Sequence, residues 1–159
     1  MGSNARLVGF LSGGAPDSSG RVLEEILAWP DQRLEAVHDF IQWLFPLTEP
    51  SPVNPDAPVL DAATIAEIRS RPELQAGFRQ SYERMRSFYA GSRHWITAGN
   101  HNHLRITRIL KCLMLVGLDA EARDFFAWLS GIYEEERVKP APGISARSYG
   151  FWSQAVHSP

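Results

Sequence analysis

The sequence predicts an all-α fold, a single-domain orthogonal helical bundle of about six or seven helices. Three observations lead to this prediction. Apolar residues recur at helical spacing through most of the 159 residues. Capping residues and prolines separate these runs, and no alternation of Val, Ile or Thr demands a strand. We assign residues 1–18 to a flexible N-terminus and residues 19–157 to the helical domain.

Two helices are expected before the first proline-rich segment. Ser18 or Ser19 can cap a helix near residues 20–28, which ends before Pro30. The next helix is predicted near residues 32–45 and closes at Pro46. Its apolar positions form a stripe of helical period: Leu34, Val37, Ile41, Leu44 and Phe45.

The segment PLTEPSPVNPDAPVL, residues 46–60, holds five prolines. Each proline removes a backbone donor and restrains the residue before it, so no regular helix can form there. Because its ends are apolar, we expect an ordered loop packed on the domain. Asp61 then caps a short helix near residues 62–69. Pro72 occupies a favoured first-turn position for a longer helix near residues 73–90.

Three more helices are expected after the loop SRHWITAGNHNH. The first covers residues 102–116, with Asn100 or Asn102 as its N-cap and its end near Gly117. The second begins near Asp119 and covers residues 120–136. Ser145 can cap the last, near residues 146–155.

Composition narrows the class of protein. The chain is 44% hydrophobic and 21% charged, as in soluble globular proteins. No apolar run approaches the roughly 20 residues of a membrane-spanning helix, and the N-terminal apolar patch is too short for a signal peptide. We therefore expect a cytoplasmic protein. The single Cys112 excludes an internal disulfide and a zinc site of several thiolates.

Charge is distributed unevenly along the chain. Residues 69–111 carry nine Lys/Arg and two Glu, and the rest of the chain carries seven basic and sixteen acidic residues. Acidic helices could pair with this basic middle at the surface, or the middle could form a concave site for an anion. The pI near 6.2 argues against nucleic-acid binding.

The stretch GNHNHLRITRIL, residues 99–110, concentrates polar side chains at a helix start. Arg105 and Arg108 share a helix face, and His101 joins it one turn earlier. Together with free N–H groups of the first turn, these side chains could bind an anion. The alternative is an ordinary capped helix with paired arginines. A metal site is less well supported than an anion site. His101 and His103 are two residues apart, so within a helix they point in different directions.

His38 falls within the apolar stripe of its predicted helix, with Gln42 one turn on. It is either a hydrogen-bonded core histidine or a pocket residue suited to proton transfer. Trp43 and Trp95 lie next to breaks in the helical pattern. Aromatic residues there either wall a small-molecule pocket or attach loops to the core.

Two stretches resemble the conserved region of the opioid growth factor receptor family: HDFIQWLFPL (residues 38–47) and NHNHLRITRILKCLMLVGL (residues 100–118). SPVNPDAPVL and RHWITAGNHNH are similar to the family's adjoining segments. The resemblance implies an all-helical domain, which animals carry at the front of longer proteins. Bacteria and fungi have it as short stand-alone chains, and we expect a member of the bacterial type. The animal namesake is described as a nuclear-associated receptor for an enkephalin peptide, a function that we do not transfer to this chain.

We hypothesise a pocket that binds a small anionic or polar molecule, with no cofactor and no metal. His38 or His101 would act as general acid or base if a reaction occurs, which the sequence leaves open. The expected ligand-binding residues are Gln42, Trp43, Asn54, Trp95, Asn100, Asn102, Arg105 and Arg108. The alternative is a non-catalytic protein–protein interaction module whose polar motifs are structural. We expect no nucleic-acid or membrane partner and assign no oligomeric state.

Overall fold

The computed structural model describes residues 4–141 and 143–158. These residues contain nine helices and no strand, which confirms the all-helical prediction. The helices are α1 (Ala5–Leu11), α2 (Leu23–Leu27), α3 (Asp31–Ala36), α4 (Ile41–Leu44), α5 (Ala62–Ser70), α6 (Pro72–Ala90), α7 (His101–Leu115), α8 (Asp119–Arg137) and α9 (Ala146–His157).

The chain divides into two compact units, Met1–Arg84 and Met85–Pro159, with the boundary inside α6. Each unit is described by itself below. The predicted domain limits, residues 1–18 and 19–157, stay predictions. Among the helices of the described residues, none is long and apolar enough to cross a membrane.

The first unit contains a helix that the sequence analysis did not predict. Residues 1–18 were expected to be flexible, but α1 lies among them, capped by Asn4, whose side chain accepts a hydrogen bond from Leu7 N. Leu7, Phe10 and Leu11 are buried. A helix of seven residues is too short to show a convincing apolar period, and burial of one face is what stabilises it.

The helix predicted over residues 32–45 is interrupted. The chain leaves α3 after Ala36, and Val37 takes an extended conformation before α4 begins at Ile41. All residues from 40 to 47 are buried. An amphipathic surface helix buries only one face, so a continuous helix could not bury such a run. This break explains one of the two helices beyond the expected number, and α1 is the other.

The proline-rich loop between α4 and α5 packs as predicted. Leu47 and Leu60 are both buried, and Leu60 N donates a hydrogen bond to the Leu47 carbonyl over 2.8 Å. Asp61 caps α5 as expected, because its Oδ1 accepts from both the N–H and the hydroxyl of Thr64.

In the second unit, α7, α8 and α9 pack against one another. Helix α7 ends where predicted, at Gly117, whose φ of +85° is a backbone conformation that glycine tolerates best. The Leu118 N–H then bonds back to the Leu113 carbonyl over 2.8 Å. Ser145 caps α9 by accepting from Ser148 N over 3.1 Å. Fully buried side chains of this core include Ile106, Ile109, Leu110, Phe125, Leu129 and Trp152.

Arginines of the basic middle pair with acidic residues of the flanking helices. In the first unit, Arg84 lies 2.7 Å from Asp31. In the second, Arg86 lies 2.9 Å from Asp124, and Arg93 lies 2.8 Å from Glu136. These pairs support the simpler explanation of the uneven charge distribution, which is mutual pairing at the surface.

Candidate functional site

The start of α7 is capped by its own asparagine pair. Asn100 has extended backbone, and its Oδ1 accepts hydrogen bonds from the backbone N of Asn102 over 2.9 Å and from the Asn102 side chain over 3.0 Å. Asn100 is therefore the N-cap, one of the two residues predicted for that role. One carbonyl oxygen satisfies a first-turn N–H that the anion hypothesis had left for a ligand.

Asn102 is buried and connects α7 to the end of α6. Its Oδ1 accepts the hydroxyl proton of Tyr89 over 3.2 Å, in a buried hydrogen bond. Its Nδ2 donates to Asn100 and, over 3.4 Å, to Nε2 of the exposed His101. The amide group therefore serves the chain's own packing.

His103 is the most tightly held histidine of the motif, and the sequence analysis gave it no role. Its Nε2 lies 2.8 Å from the Trp95 carbonyl, and its Nδ1 lies 2.8 Å from Ser148 Oγ. A carbonyl can only accept, so Nε2 carries the proton and Nδ1 accepts from the Ser148 hydroxyl. The Trp152 indole N–H donates to the backbone carbonyl of His103 over 3.1 Å.

Burial lowers the pKa of His103, although the hydrogen bond to the Trp95 carbonyl acts in the opposite direction. The imidazole is therefore neutral near pH 7, which fits one donating and one accepting nitrogen. The helical period carried a signal for this residue. The buried stripe of Ile106, Ile109 and Leu113, extended back by three residues, falls on His103.

The burial of the motif's two arginines does not fit the anion hypothesis. The Arg105 residue is only 5% exposed, and Arg108 is half-buried. A guanidinium group that is buried in this way does not present its donors to an open surface. The exposed basic face that an anion site would need is therefore absent at Arg105.

Trp95 is a core residue and not the wall of an open pocket. It is fully buried, and its indole N–H donates to the carbonyls of Tyr89 and Ser92 over 3.0 Å each. Its ring packs against that of Tyr89 with centroids 5.4 Å apart. Trp95 therefore attaches the loop before α7 to the core, which is the alternative role for aromatic residues next to breaks.

In the first unit, the predicted site residues Gln42 and Asn54 lie beside each other. Asn54 Nδ2 lies 3.4 Å from Gln42 Oε1 and 3.3 Å from the Asp39 carbonyl. Asn54 N also lies 3.2 Å from Ser51 Oγ. Since Gln42 is buried and Asn54 half-buried, these contacts fasten the proline-rich loop to the segment that contains α4.

His38 differs from its expected position, whereas Trp43 takes the alternative role of a core aromatic residue. His38 is exposed and lies in the connection between α3 and α4, so the prediction of a histidine within a helical apolar stripe is wrong. Trp43 is buried, with its ring centroid 5.3 Å from that of Phe10. No catalytic role of His38 or His101 is tested by this geometry, and both roles stay predictions, as does one pocket shared by all predicted site residues.

A cavity of about 290 Å³ lies beside the start of α7. His103 and Ser148 contribute to its wall, and Leu104 and Phe151 stand at its edge with 74% and 45% of their surfaces exposed. The guanidinium carbon of Arg147 lies 5.7 Å from the centre of the Phe151 ring. We call Leu104, Arg147 and Phe151 the α7–α9 patch.

Comparison with known proteins identifies the family. Residues 17–95 match the model of the opioid growth factor receptor (OGFr) conserved region. The chain belongs to this family. It is 34% identical to the opioid growth factor receptor of Homo sapiens over 161 residues, an alignment that covers 87% of the chain and 23% of that relative. Coverage of 87% necessarily includes both motif stretches, although the second lies beyond the match to the family model.

Two further relatives support membership of this family. The opioid growth factor receptor of Rattus norvegicus is 37% identical over 122 residues, covering 64% of the chain and 21% of the relative. The opioid growth factor receptor-like protein 1 of Mus musculus is 33% identical over 121 residues, with 64% and 26% covered. The chain thus spans about a quarter of these relatives' lengths. No solved structure matches the chain.

These relatives correct the partner expected from the sequence. The human and rat relatives are named as receptors for an opioid growth factor, and none of the three names describes a protein that binds a small anionic molecule. The expectation of a small anionic or polar partner is therefore wrong. It is also difficult to reconcile with a buried Arg105 and a capped α7. Membership of the family is confirmed, and the bacterial type stays a prediction.

Proposed function

We propose that the chain is a non-catalytic protein–protein interaction module whose polar motifs are structural. One observation carries this proposal: polar side chains of the α7 motif bond within the chain, while an adjacent leucine and phenylalanine remain exposed. Asn100, Asn102 and His103 all serve internal hydrogen bonds. A binding site for a polar small molecule would need such groups to be available.

The α7–α9 patch has the chemistry of a protein-binding surface. Aromatic residues and arginine are enriched at interfaces, and a few of them usually contribute most of the binding energy. Leu104 and Phe151 border a cavity into which a partner's side chain could insert. The relatives' names, which describe receptors, support a protein or peptide as the partner class.

Selection of peptides from a random phage-displayed library on the immobilised chain tests this proposal. Leu104→Asp and Phe151→Asp should each weaken binding of the selected peptides about 5–30-fold in fluorescence anisotropy, the range of a moderate interface anchor. Val138→Asp is the matched control, because Val138 is 73% exposed and lies outside the patch. All three variants should melt near the wild-type temperature, since each replaces an exposed side chain.

Two results would refute the proposal. One is a selection that enriches no peptide. The other is a set of selected peptides that all bind the Leu104→Asp and Phe151→Asp proteins as tightly as the wild type. Weakening by Val138→Asp to the same extent would show a general effect of added negative charge and would also count against the patch.

A further inference from the structure

A second concave surface lies wholly within the first unit. It is a groove of about 630 Å³ between the end of α1, helix α2 and the first half of α6. Leu11, Leu23 and Leu27 line it on one side. On α6 its lining includes Ala76 and Gly77, whose small size leaves the groove open.

The position of Gly77 keeps α6 close to α1. A Cβ built at Gly77 would lie 3.1 Å from the Leu11 carbonyl oxygen and 3.9 Å from a methyl group of Leu23. A larger residue would therefore push the helices apart. The close packing of α6 against α1 therefore fixes the positions of the apolar residues at the floor of the groove.

The edge of the groove is acidic. Glu24 and Glu73 both border it, and among the described lining residues there is no Lys or Arg. Glu73 pairs with Arg71 over 2.6 Å, whereas Glu24 has no ion pair within the described part of the chain. Residues 1–84 carry twelve Asp/Glu and seven Lys/Arg, so the surrounding unit is also negative.

We propose that this groove binds a segment of another protein that presents apolar side chains together with Lys or Arg. Its apolar side chains would pack on Leu11, Leu23 and Leu27, and its cation would lie near Glu24. This inference rests on the proposed interaction function and adds a second surface with a defined partner chemistry. The volume falls within the roughly 300–1,000 Å³ of ligand-binding sites, enough for several side chains.

Charge favours a protein segment over other macromolecules. Nucleic acids and anionic lipid surfaces present phosphate groups, which two glutamates in a net negative unit would repel. A cationic amphipathic segment satisfies both the apolar floor and the acidic edge. Complementary charge also speeds association and rejects partners of the wrong sign.

The probe is a fluorescent peptide of about 14 residues, four helical turns, with leucines at helical spacing and lysines elsewhere. A scrambled peptide of the same composition keeps the charge but divides the leucines between faces. A third peptide replaces each lysine with glutamate. Fluorescence anisotropy should show saturable binding of the first peptide and at least about tenfold weaker binding of the other two.

Variants then locate the site. Glu24→Lys should weaken binding about tenfold through charge reversal. Glu25→Lys is the matched control, because Glu25 is an exposed neighbour on α2 outside the groove lining, and it should have little effect. Ala76→Trp should fill the groove and abolish binding. Since Ala76 is exposed, melting curves should show that this variant folds.

Several outcomes would overturn the groove proposal. They are equal binding of the scrambled peptide, equal weakening by Glu24→Lys and Glu25→Lys, and tighter groove-dependent binding of single-stranded RNA or phosphatidylserine vesicles. Failure of the groove proposal would not affect peptides that bind through Leu104 and Phe151. The proposed function would therefore still stand. Conversely, groove binding that persists when no selected peptide depends on Leu104 or Phe151 would refute the proposed function at the α7–α9 patch and leave the groove proposal standing.

Discussion

Replacing His103 with phenylalanine tests whether the α7 motif is structural. Phenylalanine retains a ring beside Trp152, whose centroid lies 5.3 Å from that of the imidazole. The substitution removes two hydrogen bonds of 2.8 Å, to the Trp95 carbonyl and to Ser148 Oγ. Each net hydrogen bond contributes about 0.5–1.5 kcal/mol, so the free energy of unfolding should fall by about 1–3 kcal/mol.

The upper limit of this loss follows from the remaining partners. The Trp95 carbonyl still accepts from Thr97 N over 3.0 Å, and Ser148 Oγ still accepts from the Ser145 hydroxyl over 3.1 Å. Both oxygens keep a partner as acceptors, and the Ser148 hydroxyl, which loses its acceptor, belongs to a half-buried residue that water can reach. The larger penalty of a fully buried unsatisfied group therefore does not apply. The measurement is guanidinium unfolding of both proteins at pH 7.5, with His157→Gln as a control for loss of an exposed histidine.

The stability difference between wild type and His103→Phe should also depend on pH. The folded-state pKa of His103 is lowered, so the unfolded state takes up a proton first as the pH falls. The stability from neutral His103 is present above about pH 6.5, the unfolded pKa, and is lost as the pH falls toward the folded pKa. The difference between wild type and His103→Phe should therefore narrow at pH 5.5. A loss below about 0.5 kcal/mol at pH 7.5, or a difference that does not change with pH, would refute the structural role.

Three other substitutions or reactions test particular contacts. Asn102→Ala should cost about 1–3 kcal/mol in the free energy of unfolding, and less when Tyr89 is already phenylalanine, because the buried bond between them is then absent. A cost that does not change in the double variant would contradict that bond. Cys112 is fully buried, which raises its thiol pKa far above the usual range, so a thiol reagent should label it only on unfolding. Rapid labelling of the native protein would contradict this. Gly143→Ala should destabilise the protein by about 1–3 kcal/mol, since the new Cβ would lie 2.7 Å from Ile96 Cγ2, and an unchanged melting temperature would show that the two segments separate easily.

Local features of the chain were predictable because their causes are local. Asn100, Asp61 and Ser145 cap helices, and a cap needs only a short polar side chain just before an apolar run. Gly117 ends α7 because few other residues adopt its φ. The all-helical class followed from the same signals repeated along the chain.

Features that depend on tertiary contacts were not predictable in this way. The stripe at residues 34–45 has helical period, yet the chain must bend there to bury every residue from 40 to 47. This bend removes His38 from the core. The burial of His103 followed the period, but its bonds to Ser148 and to the Trp95 carbonyl join positions 45 and 8 residues apart. Hydrophobic periodicity reports which face is buried and not which polar groups meet there.

The bonds between His103 and α9 also have a consequence for the order of folding. During synthesis, α7 is translated before Ser148 and Trp152 of α9. Until then the Nδ1 atom and the backbone carbonyl of His103 lack the partners they later receive from α9. Domains fold as their segments emerge, and an apolar surface without its partner invites aggregation. Before α9 docks, α7 and α8 therefore expose the surface that α9 later covers, and a chaperone that recognises apolar helices can bind there.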